Sequence, residues 1–246
     1  MTNQTIILAA GQGKRMGGGD TPKVLVMLNQ KPLILYLLHE LEKTALLAKP
    51  VVVVGFMAEK VRGILGEDYL YAYQQKQLGT AHAVLAAKNQ VKAENVLVLY
   101  GDMPFIKAES LARLEKLHRD THSKISMFTA KPENFESPFS SLNHYGRIIR
   151  DREGKIEKIV EFKDASESQR EQTEVNPGIY MFNSAWLWEN LRKIQNHNAQ
   201  GEYYLTDIAE LAIKEGLKIE SLAIDPKEVL GVNNSEDLKV AESVLV

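Results

Sequence analysis

The sequence has no cysteine at any of its 246 positions. This absence excludes disulfide bonds, thiolate zinc sites and a cysteine nucleophile, and it fits a reducing compartment. Long apolar runs are lacking as well, since no stretch approaches the roughly 18 residues that a membrane-spanning helix requires. The short N-terminal apolar run leads into a charged, glycine-rich segment, which is not typical of a signal peptide. We therefore expect a cytoplasmic protein that does not bind a membrane.

The sequence also lacks a strong excess of positive or negative side chains. The 30 Lys and Arg residues nearly balance the 32 Asp and Glu residues, for a formal net charge of -2. Like charges are spread along the chain and form no long block, so a nucleic-acid partner is not expected. With 44% apolar residues, the chain can bury a core for one large domain, or for one domain with a small lobe.

Short, continuous apolar runs alternate with helix-like segments in the first half of the chain. The apolar runs lie at 5–10, 50–56, 69–74 and 95–102, and the helix-like segments at 31–47, 57–66, 80–91 and 107–120. Apolar runs without period-two alternation predict strands buried on both faces. Their alternation with helices predicts right-handed βαβ units, and therefore a doubly wound, mostly parallel, Rossmann-like α/β sheet.

The pattern changes after residue 124. A strand is predicted at 124–130 and a hairpin at 145–162, and a further strand at 174–183 is interrupted by Pro177 and Gly178. The remaining predicted elements are helices at about 184–194 and 204–215, strands at about 218–224 and 228–232, and a closing helix at 235–246. We interpret the chain as one α/β domain that carries a small inserted β lobe.

Ligands of open α/β sheets bind beyond the carboxyl ends of the strands. The first strand leads into a loop with Gly11, Gly13 and Arg15. Met16 breaks the spacing of the Rossmann glycine pattern, and the Walker spacing fails too. Backbone N–H groups at the glycines, the fork of Arg15 and the ammonium of Lys23 could still bind phosphate. The alternative is a surface turn whose cations are solvated.

Asp102 ends the buried strand run at 95–102 and is a candidate Mg²⁺ ligand. A carboxylate opposite a basic, glycine-rich loop suits a metal whose other ligands are phosphates, although a turn or helix cap would also explain it. Asn233 follows another predicted strand, and Asn234 beside it suits the N-cap of the closing helix. Asn233 is then free to be a second, uncharged oxygen ligand.

Other polar residues near strand ends allow two interpretations each. The Gln74 amide could pair with a base edge, or it could belong to a turn before a helix that Thr80 caps. His82 suits a packed helical position better than a catalytic one. Thr206 or Asp207 is expected to cap a helix.

These stretches together resemble a known family. "LAAGQGKRM", "PKVL", "QLGTAHA", "LYGDMP", "YGRIIRD", "EVNPGIY", "NAQGEYYLTDI" and "GVNN" are similar to motifs of sugar-1-phosphate nucleotidyltransferases. In this order they resemble the uridylyltransferase domain of the bifunctional N-acetylglucosamine-1-phosphate uridylyltransferase/glucosamine-1-phosphate acetyltransferase family, over about residues 5–243. The resemblance implies a fold of the nucleotide-diphospho-sugar transferase type. It also implies a nucleotide-binding half (1–130 plus 218–246) and a sugar-binding lobe (131–217).

The resemblance implies roles for individual residues. Those expected at the nucleotide are Leu8, Ala9, Ala10, Gly11, Gly13, Gln74, Gly79 and Thr80. Tyr100, Gly101 and Asp102 are expected to flank both the nucleotide and the sugar. Those expected at the sugar are Gly146, Glu161 and Asn176. Arg15 and Lys23 would neutralise the triphosphate, while Asp102 and Asn233 would hold Mg²⁺. The implied substrates are UTP and N-acetylglucosamine 1-phosphate, which would give UDP-N-acetylglucosamine and pyrophosphate.

The chain departs from the family pattern at three points. Ala81 stands where the family usually has glycine, beside the expected base pocket, and Pro177 follows Asn176 where the family has threonine. The hexapeptide repeats of the family's acetyltransferase half do not occur in this sequence. Because the family's trimer depends mainly on that half, we expect a monomer. Another hexose 1-phosphate, another nucleotide or a non-catalytic binding module remain alternatives, whereas Met16 disfavours a nicotinamide dehydrogenase.

The charged residues generate a first prediction. Arg15→Ala and Asp102→Ala should each lower turnover at least about tenfold, because each removes charge stabilisation that is needed in the transition state. Pyrophosphate release would measure turnover, and thermal unfolding would show that both variants remain folded. Near-normal turnover in either variant would contradict its assigned role.

Overall fold

The computed structural model describes residues 2–13, 21–44 and 48–245. Its strands are β1 (Asn3–Leu8), β2 (Met27–Leu28), β3 (Lys31–Pro32), β4 (Val51–Val54), β5 (Leu70–Tyr73), β6 (Asn95–Tyr100), β7 (Ile125–Ala130), β8 (Gly146–Arg150), β9 (Ile156–Val160), β10 (Val175–Asn176), β11 (Tyr180–Asn183) and β12 (Glu220–Ile224). Its α-helices are α1 (Leu33–Glu42), α2 (Ala58–Leu65), α3 (Thr80–Ala86), α4 (Ala108–Thr121), α5 (Glu167–Arg170), α6 (Ser184–Asn190), α7 (Asp207–Lys214) and α8 (Ser235–Val244).

One large mixed sheet runs through the described part of the chain. Its strand order is β5-β4-β1-β6-β11-β7-β10-β8-β9, and β12 pairs with the remaining edge of β7. The first four strands in this order are parallel, as are β7 and β12, whereas β11 is antiparallel to both of its neighbours. The short strands β2 and β3 form a separate antiparallel pair. The predicted α/β sheet is thus confirmed, and its run of parallel strands lies in one half.

The sheet is covered on both faces, which explains the unbroken apolar runs. Ile6 and Leu8 point into one apolar cluster, together with residues of α3, α6 and α7. Ile7, between them, points into the opposite cluster, together with residues of α1, α2 and α4. Neighbouring strand residues face opposite sides, so a strand segment that is covered on both faces is apolar at successive positions. This packing is that of a doubly wound fold.

Residues 175–183 change partners halfway along. Val175 pairs with Ala130 of β7 and Arg147 of β8, whereas Tyr180 pairs with Met127 of β7 and Val98 of β6. The segment therefore keeps β7 on one edge and exchanges β8 for β6 on the other. The exchange takes place at Pro177 and Gly178, since proline cannot donate a ladder hydrogen bond. The predicted hairpin at 145–162 is confirmed as β8 and β9, and β10 joins it to the main sheet.

The prediction of a strand at 228–232 is wrong. Pro226–Val229 form a 3₁₀ helix instead, and no strand follows it before α8. Asp225 causes the difference, because its Oδ1 accepts a hydrogen bond from Lys227 N at 2.9 Å. Pro226 then occupies the first helical turn, where its fixed φ is favourable. The apolar residues of this run are buried without pairing in the sheet.

Among the described residues, no helix combines the length and the apolar character that crossing a bilayer would demand.

Arg147 on β8 is fully buried and holds the inserted hairpin to the surrounding loops. Its guanidinium donates to the backbone oxygens of Tyr145 (2.6 Å), Asn143 (2.9 Å) and Arg170 (3.2 Å). It also lies over the Phe162 ring, 5.1 Å from the centroid. Burial, and then the charge of Arg170, lower the pKa of Arg147. The buried cation is therefore paired with backbone carbonyl groups.

Arg147→Met should lower the free energy of unfolding by at least about 2 kcal/mol, because several buried carbonyls lose their donor. Arg152→Met is the matched control, since Arg152 is exposed in the turn of the same hairpin. Its effect should stay within about 0.5 kcal/mol. Urea unfolding of both variants measures the difference, and equal losses would contradict the structural role of Arg147.

Candidate active site

Two cavities meet at the carboxyl ends of the parallel strands. One has a volume of about 250 Å³ and lies at the ends of β1, β5 and β6. The other, of about 330 Å³, lies between the end of β6, the hairpin β8–β9 and the loop before α8. Both are lined by Thr80, Tyr100, Asp102 and Glu202. We call them the first and the second cavity.

The two cavities separate the residues that the sequence assigns to nucleotide and to sugar. The first cavity is lined by Leu8, Ala9, Ala10, Gly11, Lys23, Gln74, Gly79, Thr80, Tyr100 and Asp102. The second is lined by Gly146, Glu161, Asn176 and Asn233, together with the shared residues. Neither cavity is lined by Gly13, which lies against the Lys23 side chain, or by Gly101. Arg15 lies outside the described residues.

Gly101 lies between Tyr100 and Asp102, two of the residues that line both cavities. Its N–H donates to Leu8 O at 3.0 Å, which joins the ends of β6 and β1. A Cβ at this position would lie 2.9 Å from Val24 Cγ1, so the strand ends could not approach so closely with a larger residue. Gly101 therefore fixes where Tyr100 and Asp102 enter the cavities.

The loop before α3 is docked against a distant segment. Tyr203 N donates to Leu78 O at 2.8 Å, and Ala81 N donates to Tyr203 O at 2.9 Å. Gly79 has a φ of +113°, and a Cβ there would lie 2.5 Å from Tyr203 O. The sequence predicts that Thr80 caps α3, and this prediction is wrong. Its Oγ1 instead accepts a hydrogen bond from Leu205 N at 2.9 Å.

Two glutamines hold the far wall of the first cavity. Gln74 Nε2 donates to Gly79 O at 3.0 Å and lies 3.1 Å from Nδ1 of the helical His82. Gln77 Nε2 donates to Ala10 O at 2.6 Å, which links this loop to the end of β1. Sequence reasoning missed Gln77, because nothing in its spacing shows that the two loops meet.

The structure accounts for two departures from the family pattern. Ala81 is buried in the apolar cluster beneath α3 and lines neither cavity, although its neighbours Gly79 and Thr80 line the first. Pro177 lines the second cavity. The side chain of Asn176 spans Pro177 with two hydrogen bonds. Its Oδ1 accepts one from Gly178 N at 2.9 Å, and its Nδ2 donates one to Tyr180 Oη at 2.7 Å.

Glu161 is held by a residue with a different predicted role. Thr206 precedes α7, yet its side chain makes no capping bond. Its Oγ1 donates instead to Glu161 Oε1 at 2.8 Å, so the predicted cap at Thr206 is wrong. Burial raises the pKa of Glu161, and the bond from Thr206 opposes that rise. An oriented carboxylate in the second cavity is a suitable acceptor for hydroxyl groups.

The candidate metal ligands converge on one cation. Lys23 Nζ donates to Asp102 Oδ2 and, at 2.7 Å, to Asn233 Oδ1. Val232 N donates to Asp102 O at 3.0 Å, which fixes the loop before α8 against the end of β6. Asn234 caps α8 as predicted, accepting hydrogen bonds from the second and third residues that follow it. Asp102 is not a helix cap, because α4 begins only at Ala108.

This donor set suits Mg²⁺ better than a metal that needs a protein cage. No cluster of three or more His, Cys, Asp or Glu suited to a metal occurs within residues 2–13, 21–44 and 48–245. The two oxygens of Asp102 and Asn233 nevertheless point to a common position that already holds a positive charge. Mg²⁺ usually takes one or two protein oxygens and completes its octahedron with water and phosphates. The residues present therefore fit the metal that the resemblance implies.

A third cavity, of about 520 Å³, has Glu161 in its lining. Its lining includes the carboxylates of Asp164, Asp207 and Glu210. Burial and then the charge of Glu210 raise the pKa of Asp207 to about 6. Apart from Glu161, none of the residues that the resemblance assigns to substrate lines this cavity, so we do not identify it with the predicted site.

Residues 5–202 match the family of MobA-like NTP transferase domains. The chain belongs to this family. It is 44% identical over 244 residues to a protein named bifunctional protein GlmU from Caldicellulosiruptor saccharolyticus. The matched residues are 98% of this chain and 51% of that protein. A protein of the same name from Geobacillus sp. (strain WCH70) is 41% identical over 243 residues, with the same shares covered. The chain thus spans about half the length of these curated relatives.

A solved structure shows the same fold as this MobA-like NTP transferase domain. The inositol-1-phosphate CTP transferase from T. maritima superimposes with a TM-score of 0.73 at 18% identity. The match covers 99% of this chain and 96% of the other. At this identity the likeness concerns the fold alone.

Tyr100 forms the wall between the two cavities of this domain. Burial, and then the charges of Glu161 and Asp102, raise the pKa of Tyr100, so its phenol stays neutral. Its ring lies directly on Gly178, where an added Cβ would be 2.6 Å from Cε2. Any side chain at residue 178 would therefore displace the wall.

Gly178→Ala should lower the free energy of unfolding by at least about 1 kcal/mol more than Gly154→Ala. The two glycines have nearly equal φ angles, +78° and +80°, so both variants carry the same left-handed strain. Only Gly178 faces Tyr100, whereas nothing lies within 4 Å of a Cβ at Gly154. Urea unfolding measures both variants, and indistinguishable losses would rule out the contact as a constraint on the wall.

Proposed function

We propose that this domain is a sugar-1-phosphate nucleotidyltransferase that converts UTP and N-acetylglucosamine 1-phosphate into UDP-N-acetylglucosamine and pyrophosphate. The observation that carries the proposal is the meeting of Lys23, Asp102 and Asn233 where the two cavities join. Cationic and metal-binding groups at such a junction are suited to a reaction between two phosphates, one bound on each side.

The first cavity supports nucleotide binding. It lies beyond the carboxyl ends of β1, β5 and β6, where α/β sheets bind their ligands. Gly11 and Lys23 line the side next to the glycine-rich loop, which suits the phosphates. Gln74 and Gly79 line the opposite side, where backbone and amide groups can pair with a base.

The second cavity supports sugar binding. Its polar lining includes the carboxylate of Glu161, the amide of Asn176 and the backbone of Gly146. Carboxylate and amide oxygens accept hydrogen bonds from hydroxyl groups, and they are held in place by Thr206 and Tyr180. The sugar phosphate would then extend toward Asp102 and Asn233.

The proposed reaction needs no general base and no covalent enzyme intermediate. The sugar phosphate is already an anion that can attack the α-phosphate of UTP. The main obstacle is repulsion between two anions, and negative charge accumulates on the departing pyrophosphate. Lys23 would neutralise that charge, and the resemblance assigns the same role to Arg15. Asp102 and Asn233 would hold Mg²⁺, which would supply further positive charge to offset the negative charge of the phosphates.

The relatives support this class of reaction. Two proteins named bifunctional protein GlmU share more than two fifths of their residues with this chain over the matched half. The structural neighbour from T. maritima is named as a CTP transferase of inositol 1-phosphate. UTP, N-acetylglucosamine 1-phosphate and Mg²⁺ are the specific choices that the family resemblance adds. The cytoplasmic location and the monomeric state stay predictions.

A substrate grid tests the proposal. Pyrophosphate release would be measured with Mg²⁺ for each of UTP, CTP, ATP, GTP and dTTP, combined with N-acetylglucosamine, glucosamine or glucose 1-phosphate. The pair UTP and N-acetylglucosamine 1-phosphate should give the highest kcat/KM. Binding without turnover for every pair would indicate a non-catalytic module and would contradict the proposal.

Glu161→Gln should raise KM for the sugar phosphate at least about tenfold, because a hydroxyl acceptor loses its charge. KM for UTP should change little, since Glu161 does not line the first cavity. Glu157→Gln is the matched control, because Glu157 is an exposed carboxylate on the same hairpin. If both variants behaved like the unmodified protein, Glu161 would not be a sugar ligand.

A further inference from the structure

We propose that Lys23 is an internal cation that holds Asp102 and Asn233 in the ligand-free protein and leaves them when nucleotide and a divalent metal bind. The ammonium would thus exchange partners, from two protein oxygens to the phosphates of the nucleotide. The inference rests on the proposed function and adds to it a reason why metal and nucleotide bind together.

The contact between these three residues joins distant parts of the chain. Lys23 is separated from Asp102 by 79 positions and from Asn233 by 210. The side chains of Lys23 and Asp102 are each only 15% exposed. One ammonium therefore serves as the common hydrogen-bond donor for the two oxygens that a metal would require.

Lys23 and a metal cannot use these oxygens at the same time. Mg²⁺ requires its ligands at 2.0–2.1 Å, so its centre would fall close to the present position of Nζ. The metal ion and the Lys23 ammonium would then be so close together that the two cations would repel each other strongly in this partly buried site. The ammonium already uses one oxygen of each of the two proposed metal ligands, Asp102 and Asn233.

The remaining contacts of Asn233 keep its oxygen aimed at this position. Its Nδ2 donates to Gly231 O at 3.3 Å, and its backbone N–H donates to Asp237 Oδ2 at 2.8 Å. Neither bond involves Oδ1, which faces Lys23. If Lys23 leaves, the ligand oxygen therefore stays in place.

Lys23 can move without rearranging the fold. Pro22 precedes it, and the next two residues, Val24 and Leu25, are buried, so its backbone is anchored. The side chain lines the first cavity together with Ala10 and Gly11, next to the expected phosphates. A flexible four-carbon stem allows the ammonium to turn from one partner to the other.

This exchange couples two binding events. In the free protein a metal must compete with Lys23, so its affinity is reduced. Bound nucleotide gives Lys23 a new partner and ends the competition, so the metal binds more tightly. By linkage, the metal strengthens nucleotide binding by the same factor. Part of this coupling should disappear when Lys23 is replaced.

Mn²⁺ binding followed by electron paramagnetic resonance tests the inference on the full chain. The unmodified protein, Lys23→Met and Lys23→Ala would be titrated with Mn²⁺, without nucleotide and with saturating UTP. Without nucleotide, both variants should bind Mn²⁺ about tenfold more tightly than the unmodified protein. The factor by which UTP increases Mn²⁺ affinity should fall by a similar amount.

Lys76→Met is the matched control, because Lys76 is an exposed lysine on the loop beside the same cavity. It removes the same charge without touching Asp102, and its Mn²⁺ affinity should stay within about twofold of the unmodified protein. Thermal unfolding would confirm that all variants are folded. Having two replacements of Lys23 keeps the test decisive if one of them is unstable.

Equal or weaker Mn²⁺ binding by both Lys23 variants would overturn the inference, as would an equal gain in Lys76→Met. Absence of Mn²⁺ binding to the free variants would also overturn it. Turnover of UTP and N-acetylglucosamine 1-phosphate, measured in parallel, separates this failure from that of the proposed function. Turnover without a gain in Mn²⁺ affinity rejects the exchange alone, whereas absence of turnover with every substrate pair rejects the function.

Discussion

The ammonium of Lys23, between Asp102 and Asn233, is the interaction on which the candidate site depends. It joins the end of the glycine-rich loop, the end of the central strand β6 and the loop before the last helix. Without a cation there, a carboxylate would lie partly buried at the junction of two cavities without a charged partner. The same requirement for positive charge makes this position suitable for phosphates and for a divalent metal.

The arrangement of the two cavities around this position follows from the change of strand partners within the sheet. Because residues 175–183 exchange β8 for β6 at Pro177 and Gly178, Tyr100 at the end of β6 lies on Gly178 and separates the two cavities. The parallel half thus ends at the first cavity, and the antiparallel hairpin borders the second. The two proposed substrates would then be bound on different parts of one sheet, with their reacting groups at the shared wall.

Much of the fold could be predicted, because it follows from local patterns. Unbroken apolar runs such as 51–54 require burial on both faces, and Asn234 has both the residue type and the position of a helix cap. Asp102 could be singled out, since a carboxylate at the end of a buried strand has few structural uses. Where a competing local signal exists, as at Asp225 and Pro226, the pattern predicts the wrong element.

The rest of the candidate site could not be predicted, because it depends on contacts between distant segments. Thr206 has the sequence context of a helix cap, and only the fold reveals that its hydroxyl is used by Glu161, 45 residues away. The carbonyl of Tyr203 explains why residue 79 must be glycine, yet no local spacing connects them.

The central claim is that a sugar phosphate bound in the second cavity attacks the α-phosphate of a nucleotide bound in the first, in a single in-line step. The most direct measurement uses one diastereomer of UTP that carries sulfur on the α-phosphorus, followed by ³¹P NMR of the nucleotide sugar formed. The account predicts a product with inverted configuration at that phosphorus, because one displacement inverts it. Retention of configuration would require two displacements through a covalent enzyme intermediate, and it would contradict the account.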